Sequence, residues 1–161
     1  MKRVAVDSIP IDDRRPGRRI LTDAVGASHL GINHYRLAPG EAFGGGYHAH
    51  HDQEELFYVI EGEATFRTEA GTEVVGADEL VRFAPGEFQH GFNGGDEPLT
   101  ALGFGAPQGS KDVEVVRACE ECGHVFNLRR STLLGQEGAP DEVEAPCPEC
   151  GGPSRRIDRP D

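Results

Sequence analysis

The sequence predicts an all-β protein built from short antiparallel strands, and three observations support this fold class. The 161-residue chain contains 22 Gly and 11 Pro, which interrupt it with frequent turns. From about residue 30 to residue 107, short apolar runs alternate with these turns at the spacing typical of antiparallel sandwiches and barrels. Hydrophobic residues make up 37% of the chain and Trp is absent, so we expect one lean core with a small appendage.

Seven strands are predicted in this central region. The run ELFYVI at 55–60 is rich in β-branched and aromatic residues, which indicates a buried strand. Turns containing Gly separate the strands at residues 61–62, 70–71, 76–78, 85–86 and 94–96. The predicted strands are 30–37, 55–60, 64–68, 72–75, 80–83, 90–93 and 99–104.

The chain is predicted to divide into four segments. These are an N-terminal polar arm at 1–24, a β-barrel at 25–107, a linker at 108–112 and a small cysteine-bearing unit at 113–161. The sequence APQGS at 106–110 has the composition of a linker. A strand is predicted at 113–116, and a loop at 133–146, where Gly, Pro and acidic residues concentrate.

The chain is acidic, with a formal net charge of −12 from 28 acids and 16 bases. A field of this sign repels phosphate backbones, so nucleic-acid binding is disfavoured. A basic cluster in the arm is expected to be a solvated surface, or else to bind an anion or acidic partner; its members are Arg14, Arg15, Arg18 and Arg19. The sequence contains no apolar run of membrane-spanning length and no signal-peptide pattern, so we expect a cytoplasmic protein without membrane contact.

Histidine and glutamate residues form a candidate metal site. In a strand, residues two apart point to the same face, so His48 and His50 can share a metal ion while His51 points away. Glu55 begins the next strand and adds a carboxylate, and His90 follows a later turn. Three imidazoles and one carboxylate would leave two open positions on an octahedral ion, a set that suits Fe, Mn, Co, Ni or Zn.

The same alternation predicts the lining of the pocket. If Glu55 points inward, every second residue after it does too. By the same alternation, the residues two positions before and after His90 are expected to point inward with it. A slip of one residue would replace Glu55 by Glu54. The predicted pocket is apolar and its lining residues are Phe57, Val59, Phe88 and Phe92, with Asn33, Tyr47 and Gln53 as polar candidates.

Residues 48–62, with the sequence HAHHDQEELFYVIEG, resemble the first motif of the cupin superfamily. In that motif two His and a Glu precede a Gly, and this spacing is matched by His48, His50, Glu55 and Gly62.

Residues 76–93, with the sequence GADELVRFAPGEFQHGFN, resemble the second cupin motif, with Pro85, His90 and Asn93 in place of its Pro, His and Asn. Gly86 and Asn93 each lie one place early, and the first Gly is further from Pro85 than usual. The distance from Pro85 to His90 is kept, which supports His90 as the ligand.

The cupin resemblance covers about residues 30–105 and is that of a small single-domain cupin. It implies a jelly-roll β-barrel and frequent homodimers. It also implies one divalent transition metal bound by His48, His50, Glu55 and His90.

Two Cys-x-x-Cys pairs lie 24 residues apart near the C-terminus, and each is followed by Gly. Four thiolates are the tetrahedral ligand set of structural zinc, and disulfides are not expected without a secretory signal. The pattern resembles a zinc ribbon over about residues 113–157, although the knuckles also resemble those of iron-binding rubredoxins. We expect one zinc ion, with iron the alternative, to supply most of the folding free energy of this segment. The predicted ligands are Cys119, Cys122, Cys147 and Cys150.

These features predict a metal-binding cupin, and two functions are consistent with it. The first is a mononuclear metal-dependent enzyme, of dioxygenase, isomerase or decarboxylase type, that acts on a small organic molecule. The sequence does not identify a separate general base. The second is a non-catalytic module that binds or senses a small ligand or metal and docks a protein partner through its ribbon. A basic face on the ribbon would comprise Arg129, Arg130, Arg155, Arg156 and Arg159.

Overall fold

The computed structural model describes residues 1–129 and 145–158, and its strands form two antiparallel sheets. The strands are β1 (Arg18–Ile20), β2 (Gly31–Leu37), β3 (His48–His50), β4 (Glu54–Glu61), β5 (Glu63–Thr68), β6 (Gly71–Gly76), β7 (Leu80–Phe83), β8 (Gln89–Phe92), β9 (Leu99–Ala106), β10 (Val113–Cys119), β11 (Val125–Arg129) and β12 (Ser154–Arg156). A 3₁₀ turn at Val6–Ser8 and the short helix α1 at Thr22–Val25 accompany them. Within the described ranges, neither helix has the length and apolarity needed to span a bilayer.

The first sheet has the strand order β1-β2-β9-β4-β7, and the second has the order β11-β10-β3-β8-β5-β6, with β12 also paired to β10. The two sheets face each other in the manner of a jelly roll, which confirms the predicted all-β class. β3 and β4 lie in opposite sheets, so the residues that they point inward meet across the barrel. This arrangement positions the candidate metal site.

The core fills the space between the two sheets with aromatic rings. The rings of Phe43 and Phe66 stack at 5.7 Å, and Phe57 lies 4.8 Å from Phe43. A side chain at residue 91 would collide with Phe66 and Phe43, so β8 requires Gly91 at this inward position. The buried core residues are Tyr35, Leu37, Phe43, Phe57, Val59, Ala64, Phe66, Val75, Phe83, Leu99 and Ala101.

All seven strands predicted in the central region overlap an observed strand. The structure adds β1, which lies inside the predicted polar arm and pairs with β2. β10 contains the strand predicted at 113–116, and it pairs with β3 of the barrel sheet as well as with β11 and β12. The four-segment division therefore stays a prediction. The loop predicted at 133–146 lies outside the described residues, except for its last two.

Asn93 connects three segments of backbone in the interior. Its side chain is 1% exposed, and Nδ2 donates to the carbonyl oxygens of Leu37 at 3.0 Å and Glu97 at 2.8 Å. Its Oδ1 accepts from the amide of Gly95 at 3.0 Å. Replacing Asn93 leaves these buried groups unpaired, and a buried unpaired group is costly.

We therefore expect Asn93→Ala to lower the free energy of unfolding by about 3 kcal/mol, measured by urea titration. Asn127→Ala is the control, since that side chain is exposed and bonds to Glu114 at 2.7 Å. It should change the same quantity by less than about 1 kcal/mol. Equal losses in the two variants would contradict this role for Asn93.

Candidate metal centres

The barrel site brings together side chains from both sheets. His48 and His50 alternate along β3, and Glu55 begins β4 opposite them. One ligand atom from each of the three lies within 4.8 Å of the others. Nε2 of His50 is 3.5 Å from Oε1 of Glu55, and the two imidazole rings cross at 82°. The three predicted ligands His48, His50 and Glu55 thus converge in the structure.

The two histidines are in the protonation state that binds a metal ion. Nδ1 of His48 donates to the carbonyl oxygen of Gly46 at 2.8 Å, so Nε2 carries the lone pair. Burial lowers the pKa of His48 and that of His50 to about 4, which keeps both rings neutral at neutral pH. Burial also raises the pKa of Glu55. Two neutral imidazoles and a carboxylate fit a divalent transition metal.

Gln89 completes this group from β8, and the sequence did not predict it as a site residue. β3 and β8 pair at His48 and Gln89, so both side chains enter the barrel. Nε2 of Gln89 donates to Oε2 of Glu55 at 3.0 Å and lies 3.4 Å from Nε2 of His48. Its Oε1 is buried and has no partner among the described residues. Rotating this amide by 180° would present Oε1 to His48 and Glu55 in place of Nε2, which makes Gln89 a further candidate ligand.

The structure does not bring His90 into this group, which corrects its predicted placement. His90 lies on the outer face of β8, where Nδ1 is 3.8 Å from Oδ1 of Asp158 and the ring stacks on Phe92 at 5.6 Å. Burial lowers the pKa of this His as well. The physical reason is the alternation along β8: with Gly91 facing Phe66 inside, residue 90 must face outward.

Of the four side chains predicted to line the pocket, Phe57 alone does so among the described lining residues. Val59 is fully buried in the core instead. Phe88 and Phe92 lie on the outer face of the sheet with His90. Phe88 stacks on Tyr47 at 5.4 Å, and Phe92 lies 4.8 Å under the guanidinium carbon of Arg67.

The pocket above the barrel site is small and polar, which differs from the apolar pocket predicted. Its volume is about 220 Å³, and Glu55 is its one acidic residue among the described lining residues. A second cavity of about 230 Å³ adjoins it on the side of Gln53 and Gly105 and shares Asn33 and Tyr35 with it. The basic lining residues of the first pocket are Arg15, Arg18 and Arg156.

The second candidate metal centre consists of the four predicted cysteines. Their Sγ atoms all lie within 4.8 Å of one another, and individual pairs are 3.5 Å and 3.7 Å apart. These separations exceed a disulfide bond and approach the S···S distance of about 3.8 Å that Zn–S bonds of about 2.3 Å give in a tetrahedron. The cluster consists of Cys119, Cys122, Cys147 and Cys150.

Backbone amides support thiolates in this cluster. The amides of Glu121 and Cys122 each donate to Sγ of Cys119 at 3.4 Å, and that of Gly152 donates to Sγ of Cys150 at the same distance. The amide of Cys122 lowers the pKa of the Cys119 thiol to about 7. Against the amide of Gly152, which lowers it, hydrogen bonds with Cys119 and Cys122 raise the pKa of the Cys150 thiol to about 12. Donors aimed at sulfur favour the deprotonated form that binds metal, so the four residues fit a zinc ion.

These observations define a β-barrel of the jelly-roll class, with a candidate metal site of two imidazoles and a carboxylate inside it. Residues 33–104 match the family described as Cupin domain. This part of the chain is therefore a cupin domain, and the four cysteines beyond it are compatible with a zinc ribbon. No curated protein matches the chain.

Several solved structures share this fold. A sugar phosphate isomerase of the cupin superfamily, from Silicibacter pomeroyi, is 26% identical to this chain. Its TM-score is 0.60, and the match covers 80% of this chain and 92% of that one. The polyketide cyclase RemF from Streptomyces resistomycificus is 28% identical, with a TM-score of 0.57 over 70% and 83%. KdgF from Halomonas sp. is 17% identical, with a TM-score of 0.54 over 65% and 94%, a likeness of fold alone.

Proposed function

We propose that the protein is a mononuclear metal-dependent enzyme that acts on a small organic molecule inside the cupin barrel. The observation that carries this proposal is the convergence of His48, His50 and Glu55, which lie within 4.8 Å of one another and line the same pocket. Three protein ligands leave coordination positions for a substrate, which is the arrangement of catalytic rather than purely structural sites.

We favour isomerisation or a related rearrangement as the reaction. The similar structures include a sugar phosphate isomerase and a polyketide cyclase, at 26% and 28% identity. Isomerisation and cyclisation both rearrange a substrate without net oxidation or reduction, whereas dioxygenation consumes O₂. A bound divalent metal would supply Lewis-acid polarisation of a substrate oxygen.

The chain's own residues have separate tasks in this proposal. His48 and His50 would hold the metal through neutral imidazole nitrogens, and the carbonyl oxygen of Gly46 fixes the tautomer of His48. Asn33 and Tyr35 line both cavities beside the cluster and are placed to orient substrate hydroxyl groups. Burial raises the pKa of Tyr35, which keeps its phenol a hydrogen-bond donor.

The ribbon has a structural task in the proposal. A zinc ion on the four cysteines would hold the segment that follows β10 against the barrel, because the carbonyl oxygen of Ile157 accepts from the amide of Tyr47 at 2.7 Å. The homodimer implied by the cupin resemblance stays a prediction.

Gln89 favours the alternative function, a non-catalytic binding or sensing module. An amide is a weaker ligand than a third imidazole for the later transition metals. Its hydrogen bond to Glu55 at 3.0 Å also engages a carboxylate that a metal would use. In that alternative the ribbon docks a protein partner.

Element analysis of untagged protein, purified without chelators, tests the proposal. Two metals per chain are expected, zinc on the cysteines and a second divalent ion in the barrel. The reconstituted protein is then incubated with pentose and hexose phosphates, and isomer interconversion is followed by NMR. One zinc per chain, with nothing else retained after Fe, Mn, Co, Ni or Zn is added back, would exclude the metal-dependent enzyme.

A further inference from the structure

The pocket beside the barrel site carries positive charge in a strongly acidic protein. Residues 37–116 hold 3 bases and 15 acids, and none of those bases is among the described lining residues of the pocket. Its three guanidinium groups come from elsewhere: Arg15 and Arg18 from the N-terminal arm, and Arg156 from β12. The two ends of the described chain thus supply a charge that the barrel lacks.

Arg15 lies next to the candidate metal ligands. Its Nη1 donates to the carbonyl oxygen of Phe43 at 3.2 Å, which fixes the guanidinium by one of its five N–H donors. A Cβ on Gly44 would lie 3.3 Å from that Nη1 and 3.4 Å from Cε1 of His48. The guanidinium and the imidazole therefore border the same small space.

Arg156 approaches the same loop from the ribbon. Its Nη1 donates to the carbonyl oxygen of Gly45 at 3.1 Å. A side chain at residue 45 would collide with this guanidinium, so the Gly run at 44–46 makes room for both arginines. Both arginines are thus hydrogen-bonded to the backbone of this loop, Arg15 at Phe43 and Arg156 at Gly45.

Arg18 is the third arginine of the pocket, and Asp12 compensates its charge. Nε donates to Oδ2 of Asp12 at 2.9 Å, and Nη2 makes a short contact with the same oxygen. The amide of Arg14 donates to Oδ1 of Asp12 at 3.1 Å, which holds that carboxylate in place. Arg18 is thus held in place by Asp12, while Arg15 and Arg156 are held by the backbone carbonyl oxygens of Phe43 and Gly45.

We propose that Arg15 and Arg156, with Arg18 beside them, bind an oxyanion group of the substrate, a phosphate or a carboxylate, next to His48. Guanidinium groups are matched to such groups by charge and by their fork of donors. This inference rests on the proposed function, because it names the substrate class of the same pocket. It also assigns a task to the arm and the ribbon, which lie outside the matched cupin domain.

Titration calorimetry with inorganic phosphate and with malonate tests the proposal at constant ionic strength. Arg15→Gln and Arg156→Gln should each weaken binding about tenfold or more, since each removes a charge-assisted contact. Arg82→Gln is the matched control: it removes an arginine that pairs with Glu54 at 2.7 Å and does not line the pocket. Its affinity for either probe should stay within about twofold of wild type. The probe that binds more tightly identifies the oxyanion as phosphate or carboxylate.

The same titration of His48→Ala separates this proposal from the proposed function. Phosphate or malonate binding that survives in His48→Ala and is weakened in Arg15→Gln supports direct recognition by arginine, whatever the metal does. Binding lost in His48→Ala and unchanged in both arginine variants would place the anion on the metal and overturn the proposal. Failure of both probes to bind wild-type protein would overturn it too, while leaving the metal count of the barrel unaffected.

Discussion

Replacing Cys147 by Ser is expected to release one metal ion per chain and to unfold the segment that contains the four cysteines. Cys147 is 3% exposed, and its Sγ lies 3.7 Å from that of Cys122. Structural zinc contributes about 10–16 kcal/mol to folding in small zinc domains, far more than the packing of so small a segment supplies. Loss of one thiolate ligand removes most of that free energy.

Element analysis and the thermal unfolding midpoint measure this effect. Cys147→His is the matched variant, because it keeps a ligand that zinc accepts and should retain a larger share of the metal. Cys147→Ser should also weaken phosphate binding at the barrel, since Arg156 lies on β12, only six residues beyond Cys150. A Ser variant with wild-type zinc content and midpoint would show that the cysteines do not hold a structural ion.

The strand pattern and the cysteine cluster were predictable because their signals are local in sequence. Alternation and turn residues act over five to ten positions, and they located seven strands of the barrel. The Cys-x-x-Cys pairs were equally clear, since Gly123 and Gly151 take positive φ of 72° and 77° at each knuckle. Such signals do not depend on which strands become neighbours.

The fourth member of the barrel site was misplaced because a strand's inward face depends on a one-residue choice. The prediction relied on the distance from Pro85 to His90. When the second cupin motif is aligned on His90, Gly86 and Asn93 each lie one place early. Aligning the motif on Gly86 and Asn93 instead places Gln89 at the position of the His, which points inward. The structure shows this second alignment, because Gly91 is needed between the core rings. Two agreeing departures were the signal that could have identified Gln89.

The arginines that line the pocket could not be predicted from any local pattern in the sequence. Arg15 and Arg156 are 141 positions apart in the sequence and meet on one glycine loop only after β1 and β12 have joined their sheets. Counting charge along the chain indicated an acidic barrel segment, but a count does not reveal which side chains the topology brings to the pocket. The apolar lining predicted at Phe88 and Phe92 failed for a different reason, because both residues share the outward face of His90.

His48→Ala and His90→Ala form the sharpest pair for the barrel site. Both remove an imidazole, half-buried at His48 and buried at His90. Of the two, His48 faces Glu55 and Gln89, whereas His90 faces Asp158 on the outer side of β8. His48→Ala is expected to weaken binding of the barrel metal more than about 100-fold, because removing a direct ligand costs more than removing a residue that only supports one. His90→Ala should leave that affinity within about threefold of wild type.

Competition titration with a metal-binding dye measures both affinities, and zinc content of the cysteine cluster serves as the internal control. Turnover of any substrate found should follow the barrel metal: lost by about 10³-fold or more in His48→Ala and largely kept in His90→Ala. The reverse result would mean that His90 turns inward when the metal binds, with Gln89 displaced. Since Gly91 leaves no room for a side chain at its inward position, that exchange would require β8 to slide by one residue, which its pairs with β5 oppose.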